Sequence, residues 1–161
     1  MKKILYLHGL ESAQGGKKVS FLSAKGAVHA PAMNYRAHDL HQQLVDIMEG
    51  FTPNLIIGSS MGGYIADIIG ARYDIQTLLF NPALHSRSFE PEIDTSIWTS
   101  NSACVTTCFV LLGIGDLVVD SKATEIMLAH KKRYIIQKGP HEHQTSFDLF
   151  TETYNKLEHH F

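Results

Sequence analysis

Asn54-Leu55-Ile56-Ile57-Gly58-Ser59-Ser60-Met61-Gly62-Gly63 decides the fold. The apolar run Asn54 to Ile57 reads as a buried strand. From Met61 the pattern turns helical, with Ile65, Ile68 and Ile69 on one face. Between them, Gly58-Ser59-Ser60-Met61-Gly62 matches G-x-S-x-G with Ser60 at its centre. A strand that turns abruptly into a helix crowds the residues two before and two after the serine. Glycine is needed at both places because a Cβ would clash. Such a turn holds the serine in a strained conformation and lifts its hydroxyl above the sheet. The N–H groups that open the helix then favour negative charge at the same spot. Ser59 cannot take the central place, since Ile57 and Met61 stand two residues to either side of it.

Outward from this turn, strands and helices alternate. Strands are expected at Ile4 to Leu7, Ala27 to Ala30, Thr77 to Phe80, Val105 to Leu112 and Tyr134 to Ile136. Helical spacing recurs through Phe21 and Leu22, from Leu40 to Met48, at Ala123, Ile126 and Met127, and from Phe147 to Leu157. Residues 83–102 show no clear period. This rhythm implies an α/β fold over residues 1–161: one domain with a mostly parallel sheet, helices on both faces and no large cap. In such sheets the active groups gather at the carboxyl ends of the strands. His8-Gly9, the Ser60 turn, Asp116 and His141 each follow a predicted strand, so four stretches should meet on one rim.

A serine hydroxyl needs a base, and the base needs an orienting acid. In a strand-turn-helix arrangement of this kind the order along the chain is Ser, acid, His. Asp116 stands at the exit of the Val105 strand and is the candidate acid. Asp120 directly precedes a helix and reads as its N-cap. The loop Lys138-Gly139-Pro140-His141-Glu142-His143 supplies the base. His141 is preferred, because Gly139-Pro140 turns the chain straight into it; His143 is the alternative. Oxyanion donors are expected from the backbone N–H groups of Met61 and Leu10. His8 would prop the Leu10 loop without moving protons. Pocket walls are expected from Glu11 to Gln14, from Tyr64 and from residues 83–102.

Composition bounds the remaining choices. Of 161 residues, 44% are hydrophobic and 19% charged, as in a globular domain. A formal net charge of −2 gives no electrostatic ground for nucleic acid or an anionic membrane. The Lys131-Lys132-Arg133 run reads as water-facing charge at a helix end. Cys104 and Cys108 lie too far apart along one predicted strand for a mutual disulfide, and suit a reducing cytoplasm. No signal peptide or membrane span is legible. His29, His38, His41, His85 and His130 form no ligand set, so neither metal nor organic cofactor is expected.

Tyr6-Leu7-His8-Gly9-Leu10, the Gly58-to-Tyr64 turn, Asn81-Pro82-Ala83, Gly115-Asp116-x-Val118-Val119-Asp120 and Gly139-Pro140-His141 together resemble the YqiA-like (UPF0227) esterases of the α/β-hydrolase superfamily. The likeness runs through nearly the whole chain as spaced motifs. It implies a triad of Ser60, Asp116 and His141 and hydrolysis of short acyl esters through an acyl-enzyme, in a small cytoplasmic hydrolase. The family usually has an aromatic residue two after its histidine; here that place holds His143. Alternatives within the same chemistry are a thioesterase or a small amidase. Outside it stand a non-catalytic binding module on the same fold and a redox protein using Cys104 and Cys108.

Overall fold

A computed structural model describes residues 1–10, 12–98 and 104–161. The strands are β1 (Lys3–Leu7), β2 (Ala27–His29), β3 (Leu55–Ser59), β4 (Gln76–Phe80), β5 (Cys108–Gly113) and β6 (Tyr134–Gly139). The helices are α1 (Lys17–Ser23), α2 (Leu40–Phe51), α3 (Met61–Tyr73), the short α4 (Thr95–Trp98), α5 (Ser121–Leu128) and α6 (Phe147–Leu157). All six strands pair in parallel, in the order β2-β1-β3-β4-β5-β6.

The period of two along each strand divides the core between two faces. Leu5 and Leu7 of β1 pack with Leu40, Leu44 and Met48 of α2, with Ile65 and Ile69 of α3, and with Leu128 of α5. Ile4 and Tyr6 pack on the other face with Leu22 of α1 and with Phe150, Tyr154 and Leu157 of α6. Burying each of these large side chains contributes about 1.5–3 kcal/mol. The faces follow from handedness. Parallel crossovers are right-handed, so the side on which a helix lands depends on the direction in which the chain steps. From β1 the chain steps outward to β2, and from there every step runs the other way. Thus α1 covers one face, and α2, α3 and α5 the other. The reversal leaves β1 and β3 as neighbours whose chains leave toward opposite faces. The crevice at their carboxyl ends is where ligands bind in sheets of this kind.

Two sequence expectations need correction. The Val105 strand begins only at Cys108, and Val105 is 83% exposed. The Asp74 carboxylate accepts bonds from the N–H groups of Val105 and Thr106 and from the Thr106 hydroxyl, which holds the chain in a turn there. Cys104 therefore precedes the strand, and both cysteines are free thiols. The basic run also divides. Lys131 and Lys132 are exposed, but the Arg133 side chain is only 10% exposed. Its guanidinium lies 3.8 Å from Asp67 and 2.6 Å from the Cys104 sulfur. Asp67 in turn accepts the Tyr134 hydroxyl at 2.9 Å. Among the described residues, no helix is long and apolar enough to cross a membrane.

The turn from β3 into α3 carries the tightest backbone approach. A methyl group at position 62 would overlap the carbonyl oxygens of Leu7 and His8. Gly62→Ala should therefore cost more than about 4 kcal/mol, the range reached only when backbone or core must move. Urea unfolding of the purified variant, or its failure to accumulate as soluble protein, reads this out.

Candidate active site

Ser60 stands at the N-cap of α3 with φ 51° and ψ −118°, a conformation that costs a non-glycine residue about 1–3 kcal/mol. The surroundings hold it there. Its N–H donates to Phe80 O at 3.0 Å, and its carbonyl accepts from Tyr64 N and Ala83 N. The steric reading of the glycines holds as well, because a Cβ on Gly58 would overlap the Gly62 carbonyl.

Asp116 follows β5 in a tight turn, and its side chain is 1% exposed. One carboxylate oxygen accepts the N–H groups of Val118 and Val119 at 2.8 and 2.9 Å. The other lies 2.9 Å from Nδ1 of His143. Asp120 caps α5 through the N–H of Ala123, as the sequence suggested.

It is His143, and not the preferred His141, that the structure sets beside Asp116. The His141 ring lies in a slot against Gly113 and Gly139, where a Cβ at either position would crowd it. Neither of its ring nitrogens has a hydrogen-bond partner among the described residues. The Gly139-Pro140 turn does deliver the chain into His141, but it delivers the ring into the space between the ends of β5 and β6. Two more residues are needed to reach across to Asp116, and that span places His143 there. His143 also lines the cavity below, which His141 does not. No hydrogen bond joins the Ser60 hydroxyl to His143 in this structure. Such contacts often close only around bound substrate.

Asn81 fixes this geometry, and its role was not legible from sequence beyond its place in a motif. It ends β4 with φ 43° and is 1% exposed. Its amide nitrogen donates to the carbonyls of Glu142 and His143 at 3.1 and 2.8 Å. Its side-chain oxygen accepts the Gly113 N–H at 2.7 Å. One side chain thus ties the loop that carries His143 to the end of β5, just before Asp116.

His8 is buried and props the first loop. Its Nε2 accepts the Met33 N–H at 3.0 Å, so Nδ1 carries the proton and donates to Gly9 O at 2.7 Å. Both nitrogens are used in holding the loop. The Tyr35 hydroxyl adds a bond to His8 O at 2.6 Å.

A cavity of about 720 Å³ opens over these groups. Ser60, Met61, Leu10 and His143 line it, together with Lys18 and Val118. Of the expected walls, Ser12 and the stretch from Ala83 to Ser88 contribute. Tyr64 does not: its ring is covered by the Arg87 guanidinium, 3.9 Å from its centre. Glu11 and residues 99–102 lie outside the described residues. No cluster of metal-ligating side chains occurs among the described residues.

The sequence model of an uncharacterised protein family, UPF0227, matches residues 3–107. The chain belongs to this family. A curated member, the UPF0227 protein YcfP of Escherichia coli O139:H28, is 28% identical over 148 residues, covering 79% of this chain and 82% of its own. Two solved structures show the same fold. The monoacylglycerol lipase of Paleococcus ferrophilus has a TM-score of 0.68 at 14% identity, over 96% of this chain and 91% of its own. The fluorophosphonate-binding serine hydrolase FphF of Staphylococcus aureus has a TM-score of 0.60 at 16% identity, over 99% and 82%. The fold is therefore that of the α/β-hydrolases, in a compact form.

Two expectations test this geometry. Asn81→Ala leaves the buried Gly113 N–H unpaired and puts alanine at positive φ. It should lower stability by about 2–4 kcal/mol in urea unfolding. His141 offers a pH test. Burial holds its imidazole below the ordinary range, outweighing the pull of Asp116 in the other direction. A depressed histidine favours the neutral folded form, so stability is lost as pH falls below about 6.5, where the unfolded chain binds the proton first. Between pH 7.5 and 5, wild type should lose thermal stability relative to His141→Leu.

Proposed function

We propose that this protein hydrolyses short carboxylic esters through an acyl-enzyme on Ser60. The observation that carries the reading is the pairing of His143 with the buried Asp116 on the wall of the cavity that Ser60 also lines. Asp116 holds the Nδ1–H tautomer, which leaves Nε2 free to accept a proton.

The reaction follows from those roles. Ser60 Oγ attacks the ester carbonyl while its proton passes to His143 Nε2. The carbonyl oxygen becomes an oxyanion, bound by the N–H groups of Met61 and Leu10. Met61 is the first residue of α3, so its N–H has no partner within the helix and the helix dipole favours the charge. Collapse of the intermediate breaks the ester C–O bond, and the alcohol leaves with the proton from His143. Water then repeats the sequence on the acyl-enzyme and releases the acid. The strain at Ser60 keeps its hydroxyl from sinking into the first turn of α3. Two free thiols fit a reducing compartment, and we place the protein in the cytoplasm on that ground.

Fluorophosphonate labelling with the modified peptide located by mass spectrometry tests this without a guess about substrate. Ser60 should take the label, and Ser60→Ala should take none. His143→Ala should slow labelling by about 10²–10⁴-fold, the usual contribution of a positioned base. His141→Ala should slow it far less in the fraction that remains folded. Labelling at full rate in folded His143→Ala would overturn the assignment of the base. An unlabelled Ser60 in folded wild type would overturn the hydrolase reading.

A further inference from the structure

Among the described residues the cavity carries two cations, and they are used differently. Arg87 is spent. Its guanidinium donates to both carboxylate oxygens of Glu90 and to the carbonyls of Ala83 and Leu84, and stacks on Tyr64. Lys18 is not. Its ammonium donates to the Thr145 carbonyl at 2.8 Å and lies 5.3 Å from the centre of the Phe150 ring. An ammonium has three hydrogens, and one carbonyl satisfies one of them. No carboxylate lines the cavity among the described residues. The side chain is half-buried, and that burial draws its pKa below the ordinary lysine range, with no acidic neighbour among the described residues to offset it.

A half-buried cation with no counter-charge among the described residues costs folding free energy. Here it also cannot swing freely away, because the Thr145 bond and the Phe150 ring fix its head against the cavity. Thr145 stands two residues after His143, so the same loop that presents the base also anchors the cation. A preorganised positive charge in a cavity, uncompensated by any described residue, is what an anionic group on a ligand requires. The charge count narrows the class. One available positive charge matches a monoanion, a carboxylate, better than a dianionic phosphate. The planar fork that commonly grips phosphate belongs to arginine, and Arg87 is already occupied.

We propose that the cavity takes esters that carry a free carboxylate remote from the scissile bond, such as monoesters of a dicarboxylic acid, with Lys18 as the counter-ion for that carboxylate. The proposal rests on the hydrolase reading for its kinetic arm and not for its binding arm. The carboxylate of such an ester would displace water from the two free ammonium hydrogens, while its ester carbonyl meets Ser60. Val118, 69% exposed, also lines the cavity and offers an apolar surface to a methylene chain.

The kinetic arm compares 4-nitrophenyl hydrogen glutarate with neutral 4-nitrophenyl butyrate. Wild type should favour the anionic ester, and Lys18→Met should lower the ratio of the two kcat/KM values about tenfold, the worth of one charge-assisted contact. Lys18→Arg keeps the charge and should restore most of that ratio. A ratio that moves less than about twofold in folded Lys18→Met overturns the proposal. The binding arm titrates glutarate by calorimetry into wild type, Ser60→Ala and Lys18→Met. Glutarate should bind wild type and Ser60→Ala alike and at least about tenfold more weakly to Lys18→Met. Absent or Lys18-independent binding overturns the proposal, and inorganic phosphate binding tighter than glutarate overturns the choice of carboxylate. If Ser60 takes no fluorophosphonate label, the hydrolase reading falls, and the glutarate titration alone decides this inference.

Discussion

The contact between the backbone of α3 and the end of β1 governs the rest of the molecule. Gly62 sits against the carbonyl oxygens of Leu7 and His8 with no room for a side chain, and Gly58 sits as closely against Gly62. Close-packed backbone of this kind lets the first turn of α3 rise from the sheet edge, where a wider separation would let it slide over the face. Ser60 is forced to positive φ as the chain makes that turn. The strain is offset by hydrogen bonds to Phe80, Tyr64 and Ala83, so the elbow depends on β4 as much as on β3.

From there the site extends across the sheet in register. Asn81 leaves β4 beside the elbow and reaches β5 at Gly113 and the final loop at Glu142 and His143. It is a small amide with both donor and acceptor, and both ends are used in a buried setting where an unmet bond would cost about 1–3 kcal/mol. Aspartate could not donate to the two carbonyls, and a larger side chain could not remain buried between three chain segments. The position of His143 therefore rests on an uncharged residue at the end of β4, the strand next to the one that carries Ser60. His8 plays the matching part on the other side. Its two ring nitrogens join the first loop to Met33, and that loop sets Gly9 against Ser59 and Ser60.

Much of the architecture was legible in sequence because it rests on local rules. Period two in the strands, 3.6 in the helices and glycine at a tight turn are properties of neighbours along the chain. They located all six strands and the five long helices, with β5 begun too early because Val105 is as apolar as a core residue. Its displacement depends on Asp74, 31 residues away. Arg133 was misread for the same kind of reason. Three consecutive basic residues suggest solvent, and only the fold shows that Asp67, Thr77 and Cys104 surround one of them.

The sequence by itself determined the parallel sheet, the elbow at Ser60 and Asp116 at the exit of β5, because each follows from steric and periodic constraints within a few residues. Tertiary structure decided which of His141 and His143 stands beside Asp116. Those two residues share a loop, a residue type and nearly the same local chemistry, so no local rule separates them. The choice was made by a glycine-lined slot between β5 and β6 that accepts one ring, and by an asparagine 62 residues upstream that fixes the carbonyl of the other. Lys18 belongs to the same class. Its charge is visible in the sequence, but its place in the cavity, with no counter-charge among the described residues, exists only once α1, α6 and the His143 loop have closed around it.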